Sequence, residues 1–342
     1  MKLHAGSLLF LFLLYPFLQG KGQTQQVLFY NVENLFYPGD DPIRKSDDPY
    51  TSHGSKEWHA YRYERKLSGI FKTIAAIGKG RTPIFMGFAE LEERRVLEDL
   101  VEQTPLKRKR LCIIQYPSPD HRGMDVGAIY RKDRFTPLSI TRIRVPLEKK
   151  DASPTREMLY VKGKSKRGDT LHFFIAHWPS RWGGRARTEW KRLKAARVLK
   201  KRIDSLEDLL KDPSILVMGD LNDTPRDWSI KEVLGAKEWE KGAKGASWYD
   251  LMASLPKGSY YHGGKWHFLD HFIVPARMLH PDSSTSYKAV KPQVHSFHWL
   301  LREGRGKGKE EEVPHRSFRG DSYVGGISDH LPISVRLKPS QE

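Results

Sequence analysis

Short apolar runs recur along this chain, and several stop on a side chain able to hold a proton or a cation. Residues 26–31 end at Asn31, 83–89 lead to Glu90, 170–176 to His177 and 214–219 to Asp220. Runs this short, rich in β-branched and aromatic residues, read as strands. Further strands are expected over 111–116, 126–130, 135–145, 158–162, 268–274 and 331–337. Helical spacing is confined to 61–79 (Leu67, Ile70, Phe71, Ile74, Ile77), 91–103 and the basic stretch 185–210. Strands that do not alternate regularly with helices argue against a doubly wound parallel sheet. They favour packed sheets with helices outside.

The chain has 342 residues, 38% of them hydrophobic, which is enough for a folded core. Residues 1–22 read as a signal peptide cleaved near residue 22. Lys2 gives a basic start, 7–18 is an apolar run too short to span a bilayer comfortably, and Gly20 and Gly22 are small. The protein is therefore expected outside the cytoplasm, periplasmic or extracellular, with no transmembrane segment in the mature part. Cys112 is the sole cysteine, so no internal disulfide is possible, and its apolar neighbours predict a buried thiol. Residues 302–312 are polar and Gly-rich and read as a solvated loop. No internal repeat appears, and functional residues spread across 23–342, so one domain is expected.

The formal charge is +18; loss of residues 1–22 removes Lys2, Lys21 and no acid, leaving +16. That surplus favours a polyanionic partner: nucleic acid, anionic membrane or a phosphorylated small molecule.

Five segments carry the chemistry: 30–34 (Tyr-Asn-Val-Glu-Asn), 89–92 (Ala-Glu-Leu-Glu), 176–180 (Ala-His-Trp-Pro-Ser), 218–222 (Met-Gly-Asp-Leu-Asn) and 328–332 (Ser-Asp-His-Leu-Pro). Acids and imidazoles at the edge of buried runs are costly unless paired or bound to metal. Glu90 and Asp329 are candidate ligands of a hard divalent cation, with Glu33 a possible contributor to a second site. With no cysteine cluster and no His-x-x-x-His, a zinc site of the usual kind is disfavoured. His177 and His330 suit proton transfer or stabilisation of charge on a phosphate. Singly, each segment also fits a turn, a helix start or a strand cap.

Their order, Asn-x-Glu, Glu, His, Gly-Asp-x-Asn, Leu-Asp-His, Ser-Asp-His, resembles the endonuclease/exonuclease/phosphatase superfamily over residues 31–330. The resemblance implies an α+β fold: a four-layer α/β/β/α sandwich of two mostly antiparallel, mixed sheets with helices on both outer faces. It implies Mg²⁺, with Mn²⁺ or Ca²⁺ as substitutes, held by Glu90, Asp329 and, less firmly, Glu33. Asn31 would lie near metal and phosphate. Asp220 and Asn222 would orient the attacking water, and His330 would contact the phosphate, itself oriented by Asp270. His177 would be the second imidazole, with Asp125 behind it. Arg156, Arg181 and Arg185 are candidate phosphate grips, and Trp178 and Trp182 candidate stacking rings.

The leading expectation is a secreted, metal-dependent nuclease or phosphodiesterase acting on nucleic acid, with no protein partner inferred. A phosphatase or phospholipase C-type enzyme acting on phospholipid or inositol phosphate head groups is the second. A binding module that kept the fold without catalysis is the third.

Overall fold

The computed structural model describes residues 24–39, 48–148, 153–239, 245, 247–279, 287–305 and 310–340. In chain order the first block is β1 (Gln25–Leu35), α1 (Ala60–Gly78), β2 (Phe85–Leu91), α2 (Arg94–Glu102), β3 (Leu111–Gln115) and β4 (Asp125–Arg131). Next come β5 (Phe135–Ile143), β6 (Met158–Ser165), β7 (Thr170–His177), α3 (Arg185–Leu209) and β8 (Ser214–Asp220). The short β9 (Ala236–Glu238), β10 (Trp248–Asp250), β11 (Tyr260–His262) and β12 (Lys265–His267) precede β13 (Asp270–Pro275). The chain closes with β14 (Tyr287–Val294), β15 (Leu301–Arg305), β16 (Glu310–Pro314), β17 (Phe318–Arg319), β18 (Ser322–Tyr323) and β19 (Ile333–Pro339).

Six strands form one sheet, in the order β14-β19-β1-β2-β4-β3, and seven the other, β5-β6-β7-β8-β13-β10-β9. Each sheet is mixed. β1 runs parallel to β2, and β7 parallel to β8, within largely antiparallel neighbours.

Why β1 and β8 read as unbroken apolar runs is visible in their burial. Side chains alternate between the two faces of a strand. Val27 and Phe29 of β1 meet Leu216 and Met218 of β8 in the core between the sheets. The alternate residues Leu28, Tyr30 and Val32 pack against Leu67, Ile70 and Ile74 of α1. Ile215 and Val217 pack against Ala195, Leu199 and Ile203 of α3. Three hydrophobic layers thus separate four structural ones: α1 and α2, sheet, sheet, α3. The expected sandwich is what forms.

α1 stops where Lys79 turns left-handed (φ 48°), its backbone N–H closing onto Ala76. α3 starts after Gly183 and Gly184, whose positive φ values of 83° and 113° let the chain turn sharply out of β7.

Two expectations are corrected. Cys112 is only partly buried, because β3 is the edge strand of its sheet. Residues 302–312 are not simply a loop. β15 and β16 pair antiparallel from Leu301↔Pro314 to Arg305↔Glu310, and Trp266 Nε1 donates to Glu311 at 2.6 Å. The expected signal peptide lies outside the described residues. No described helix is long and apolar enough to cross a membrane.

Candidate active site

The parallel pairs β1–β2 and β7–β8 end at the same edge of the sandwich and deliver the chemistry there. On the seven-stranded sheet, His177, Asp220 and Asp270 are direct partners across β7, β8 and β13. On the six-stranded sheet, Asn31 pairs with Ala89, and Glu90 follows. Glu90 is the extra residue of a bulge: Ala89 faces Val126 and Leu91 faces Asp125, so nothing faces Glu90. A bulge re-aims one side chain out of the ladder. The left-handed backbone of Glu90 (φ 64°) completes the turn, and Glu33, Asn34 and Asn222 are left-handed too. Non-glycine residues held this way cost about 1–2 kcal/mol each.

Asn31 is the hinge pin. Its Nδ2 donates to Glu90 Oε1 at 3.1 Å and to Asp220 Oδ2 at 3.0 Å, tying the two sheets together. Both amide hydrogens are directed at carboxylates, so Asn31 spaces Glu90 from Asp220. Its own carbonyl accepts from Ser328 Oγ, which also receives the backbone N–H of His330. Glu90 Oε2 accepts from the backbone N–H of Asn34 at 2.8 Å. Asn222 donates its backbone N–H to Asp220 Oδ1 at 2.9 Å and its Nδ2 to the carbonyl of Trp178.

His330 has the expected acid behind it. Its Nδ1 lies 2.7 Å from Asp270 Oδ2, which Ser259 Oγ also donates to, and its Nε2 is 3.7 Å from Asp220 Oδ2. Burial alone would favour the neutral ring. Asp270 and Asp220 outweigh it and hold the imidazole well above its ordinary pKa, so it is charged near neutrality.

His177 is different, and the expected Asp125–His177 pair is not formed. Asp125 Oδ1 accepts from Ser118 and Oδ2 from Gln115, across the end of β3 and β4. The partner of His177 Nε2 is Arg156 Nη2, at 3.2 Å. A guanidinium only donates, so Nε2 accepts and the ring proton sits on Nδ1, a buried atom with no hydrogen-bond partner. Burial and the Arg156 charge push this imidazole well below its ordinary pKa. One imidazole is backed by an acid and the other by a cation.

Arg156 is 4% exposed, and its Nη1 donates to Asp120 Oδ2 at 2.7 Å, so it too is committed within the fold. Arg181 donates to the carbonyl of Asn222 and to Asp227, both at 2.6 Å, and Arg185 pairs with Asp227. These arginines brace the walls. Trp178 is buried against α3 and cannot stack on a ligand, whereas Trp182 is 89% exposed.

Asp329 lines the same cavity as Glu90, but neither it nor Glu33 joins Glu90 in a group of three close ligand atoms. Arg316 bridges Glu33 and Asp329, 2.5 Å from Asp329 Oδ2 and 3.7 Å from Glu33 Oε1. Buried Lys66 donates to the Glu33 carbonyl and to Ser317 Oγ. Burial pushes the Glu33 carboxyl up to about 8, with Asp329 adding to the rise. Among the described residues, two groups bring three possible ligand atoms within 4.8 Å of one another: Glu90, His177, Asp220 and Asp220, Asp270, His330. The second contains the acid–imidazole pair, in which His330 Nδ1 and Asp270 Oδ2 are engaged with each other while Asp270 Oδ1 is buried with no hydrogen-bond partner. The first fits a hard cation. Two carboxylates converge there, and burial pushes Asp220 up to about 7, which a positive ion would relieve. Because Arg156 occupies the His177 lone pair, Glu90 and Asp220 are the donors that remain.

Sequence reasoning missed Arg122, Arg316 and Tyr260, which line the same cavity of about 480 Å³. The Tyr260 ring lies 4.7 Å from that of His330. Their signal is weak: an arginine five residues after a proline and another before a serine look like solvated surface.

Two mixed sheets with carboxylates and imidazoles gathered at one end define an α+β sandwich of the phosphate-ester hydrolase type. Residues 26–339 match the model of the Endonuclease/Exonuclease/phosphatase family, and the chain belongs to that family. No curated protein sequence matches the chain significantly. Solved structures of the same fold include a mannosyl-6-phosphatase from Bacteroides thetaiotaomicron, at 17% identity and TM-score 0.57, over 92% of this chain and 99% of that one. D. rerio TDP2 complexed with a single-strand DNA product gives 14%, 0.55, 92% and 99%. The human Nocturnin catalytic domain with bound sulfate gives 13%, 0.54, 92% and 94%.

Proposed function

We propose that this chain is an exported, divalent-metal-dependent phosphodiesterase that cleaves nucleic acid. The observation that carries the reading is the arrangement around Asp220: Glu90 across the Asn31 amide on one side, and the Asp270–His330 pair on the other.

Glu90 and Asp220 would hold the cation, which when bound supplies Lewis acidity and a charge sink for the phosphoryl oxygens. Mg²⁺ suits two carboxylates with water and substrate completing its shell. His330 does its work through Nε2–H. Asp270 fixes the tautomer and keeps the ring charged, so Nε2 presents a proton to the phosphoryl or leaving oxygen. Asp220, fixed by the Asn222 backbone and by Asn31, orients the attacking water. His177 stays neutral. Its ring fills the wall beside Glu90, and Arg156 holds it there. The cavity rim carries Arg122, Arg181 and Arg316, in keeping with an anionic substrate. The charge of +16 left after loss of residues 1–22 extends that preference to the surface.

The test is a substrate panel. Plasmid DNA, RNA, sphingomyelin, inositol phosphates and a sugar phosphate are incubated with Mg²⁺, Mn²⁺ or EDTA. Nucleic-acid cleavage that EDTA abolishes, and that Asp220→Ala lacks while keeping its native circular dichroism, supports the reading. Turnover of a lipid or small phosphate ester with inert DNA and RNA sinks the nuclease part. Full activity in EDTA sinks the metal part.

A further inference from the structure

Trp182 stands where an indole gains nothing for the fold. It is 89% exposed, more than any other large apolar side chain among the described residues. Solitary exposed apolar residues are ordinary; this one has a particular address. It lies on the ridge between two cavities and lines both. One is the catalytic cavity of about 480 Å³. The other, of about 470 Å³, is walled by His121, Thr155, Pro179 and Lys191 and shares Arg122, Ser180 and Trp182 with the first. Each is in the size range of a small-ligand site.

The loop that presents the indole is fixed at its base. Arg181, the preceding residue, is tied to the Asn222 carbonyl and to Asp227, and Gly183 and Gly184 turn the chain away immediately afterwards. The second cavity has one acid, Asp120, and it is already paired with Arg156. What remains there for a ligand is an exposed aromatic face, the cations Arg122 and Lys191, and hydroxyls. A small phosphorylated sugar would fill the catalytic cavity and leave the ridge bare. A membrane-inserting loop presents several apolar residues together, whereas the neighbours of Trp182 are Arg181, Gly183, Gly184 and Arg185.

We propose that Trp182 is the stacking platform of a second nucleotide subsite, so that a single-stranded polynucleotide runs from the catalytic cavity across the Trp182 ridge into the neighbouring one. This rests on the nuclease reading and adds to it. The substrate is at least two nucleotides long, a base lies flat on the indole, and Arg122 faces the phosphate between the two cavities.

The experiment measures binding by fluorescence anisotropy in EDTA, where turnover is off. The probes are a labelled thymidine octamer and an octamer of abasic tetrahydrofuran units with the same charge. The proteins are wild type, Trp182→Ala and Trp182→Phe; an exposed side chain can be truncated without disturbing the core. Base stacking on an aromatic ring is worth about 1–3 kcal/mol, so Trp182→Ala should weaken thymidine binding roughly 5- to 150-fold. Abasic binding should be unchanged, and Trp182→Phe should recover most of the loss. Equal losses on both strands, or none on either, overturn the subsite. So does a Trp182→Ala variant whose only lost affinity is for phosphatidylserine vesicles. Cleavage of the thymidine octamer by wild type in Mg²⁺ reports separately on the underlying reading. Cleavage that does not depend on Trp182 defeats the subsite alone. Inert nucleic acid beside turnover of lipid or sugar phosphate defeats both.

Discussion

Replacing Arg156 by Met tests the cation behind His177. The guanidinium and Asp120 are 3% and 4% exposed and 2.7 Å apart. Deleting one partner of a buried ion pair leaves the other charged and unpaired, at a cost of about 3–5 kcal/mol. Here the lower end is expected, about 3 kcal/mol, because Asp120 keeps the Arg122 backbone N–H at 3.1 Å and its guanidinium Nε at 3.8 Å. Burial would raise the Asp120 carboxyl; Arg156, with help from Arg122, holds it below its ordinary range instead. The assay is urea unfolding of wild type, Arg156→Met, Asp120→Asn and the double variant. If the pair is the source of the cost, the double variant loses less than the sum of the single ones, by about 2 kcal/mol. Arg156→Lys should keep much of the stability. It should still lose activity, since an ammonium cannot reach Asp120 and His177 with a planar fork. An Arg156→Met protein that loses under 1 kcal/mol, with additive single and double variants, would refute the reasoning.

Asp270→Asn should lower kcat by about 10²–10⁴ and also lower the melting temperature, because His330 then loses the buried charge that pairs with it and fixes its tautomer; steady-state rates at saturating substrate and thermal unfolding check it. Glu90→Gly and Glu90→Ala should both be inactive, yet the glycine variant should be the more stable by about 1 kcal/mol in thermal unfolding, since only it relieves the left-handed backbone at φ 64°. His172 is buried and His295 half-buried, and desolvation pushes both pKa values down to about 4, leaving the rings neutral. Each binds a proton more readily unfolded than folded, so their stabilisation is complete above pH ~6.5 and is lost as the pH falls towards 4. Urea midpoints measured across that window should drop in wild type and drop less in His172→Gln.

What the amino-acid order reveals, it reveals through local signals. Strands buried on both faces, such as β1 and β8, are continuous apolar runs, and α1 shows its inner face as Leu67, Ile70, Ile74 and Ile77. Strand ends are legible too, because an acid or imidazole closing such a run stands out, as Glu90, His177 and Asp220 do; Asp270, which opens β13, is legible only through the family resemblance. The bulge at Glu90 was not legible, because it depends on how β2 sits against β4, a relation between strands rather than a property of either. Nor was the choice of partner for His177. Asp125 and Arg156 are both plausible on paper, and only the packing of the sheets decides that Asp125 turns to Gln115 and Ser118 while Arg156 reaches the ring. Arg122 and Arg316 were hidden for a simpler reason: in a chain with 59 lysines and arginines, no single one draws notice.

The ladder that seats His177, Asp220 and Asp270 side by side sets a rule for redesign. Adding or deleting one residue inside 170–177, 214–220 or 270–275 would turn every side chain beyond that point to the opposite face. A reactive group would then exchange places with a core residue. The turns at 183–184 and 263–264 lie outside the ladder, and their length is not fixed by it. Grafting new recognition onto this scaffold therefore belongs in those two turns, with the spacing of the strands left as it is.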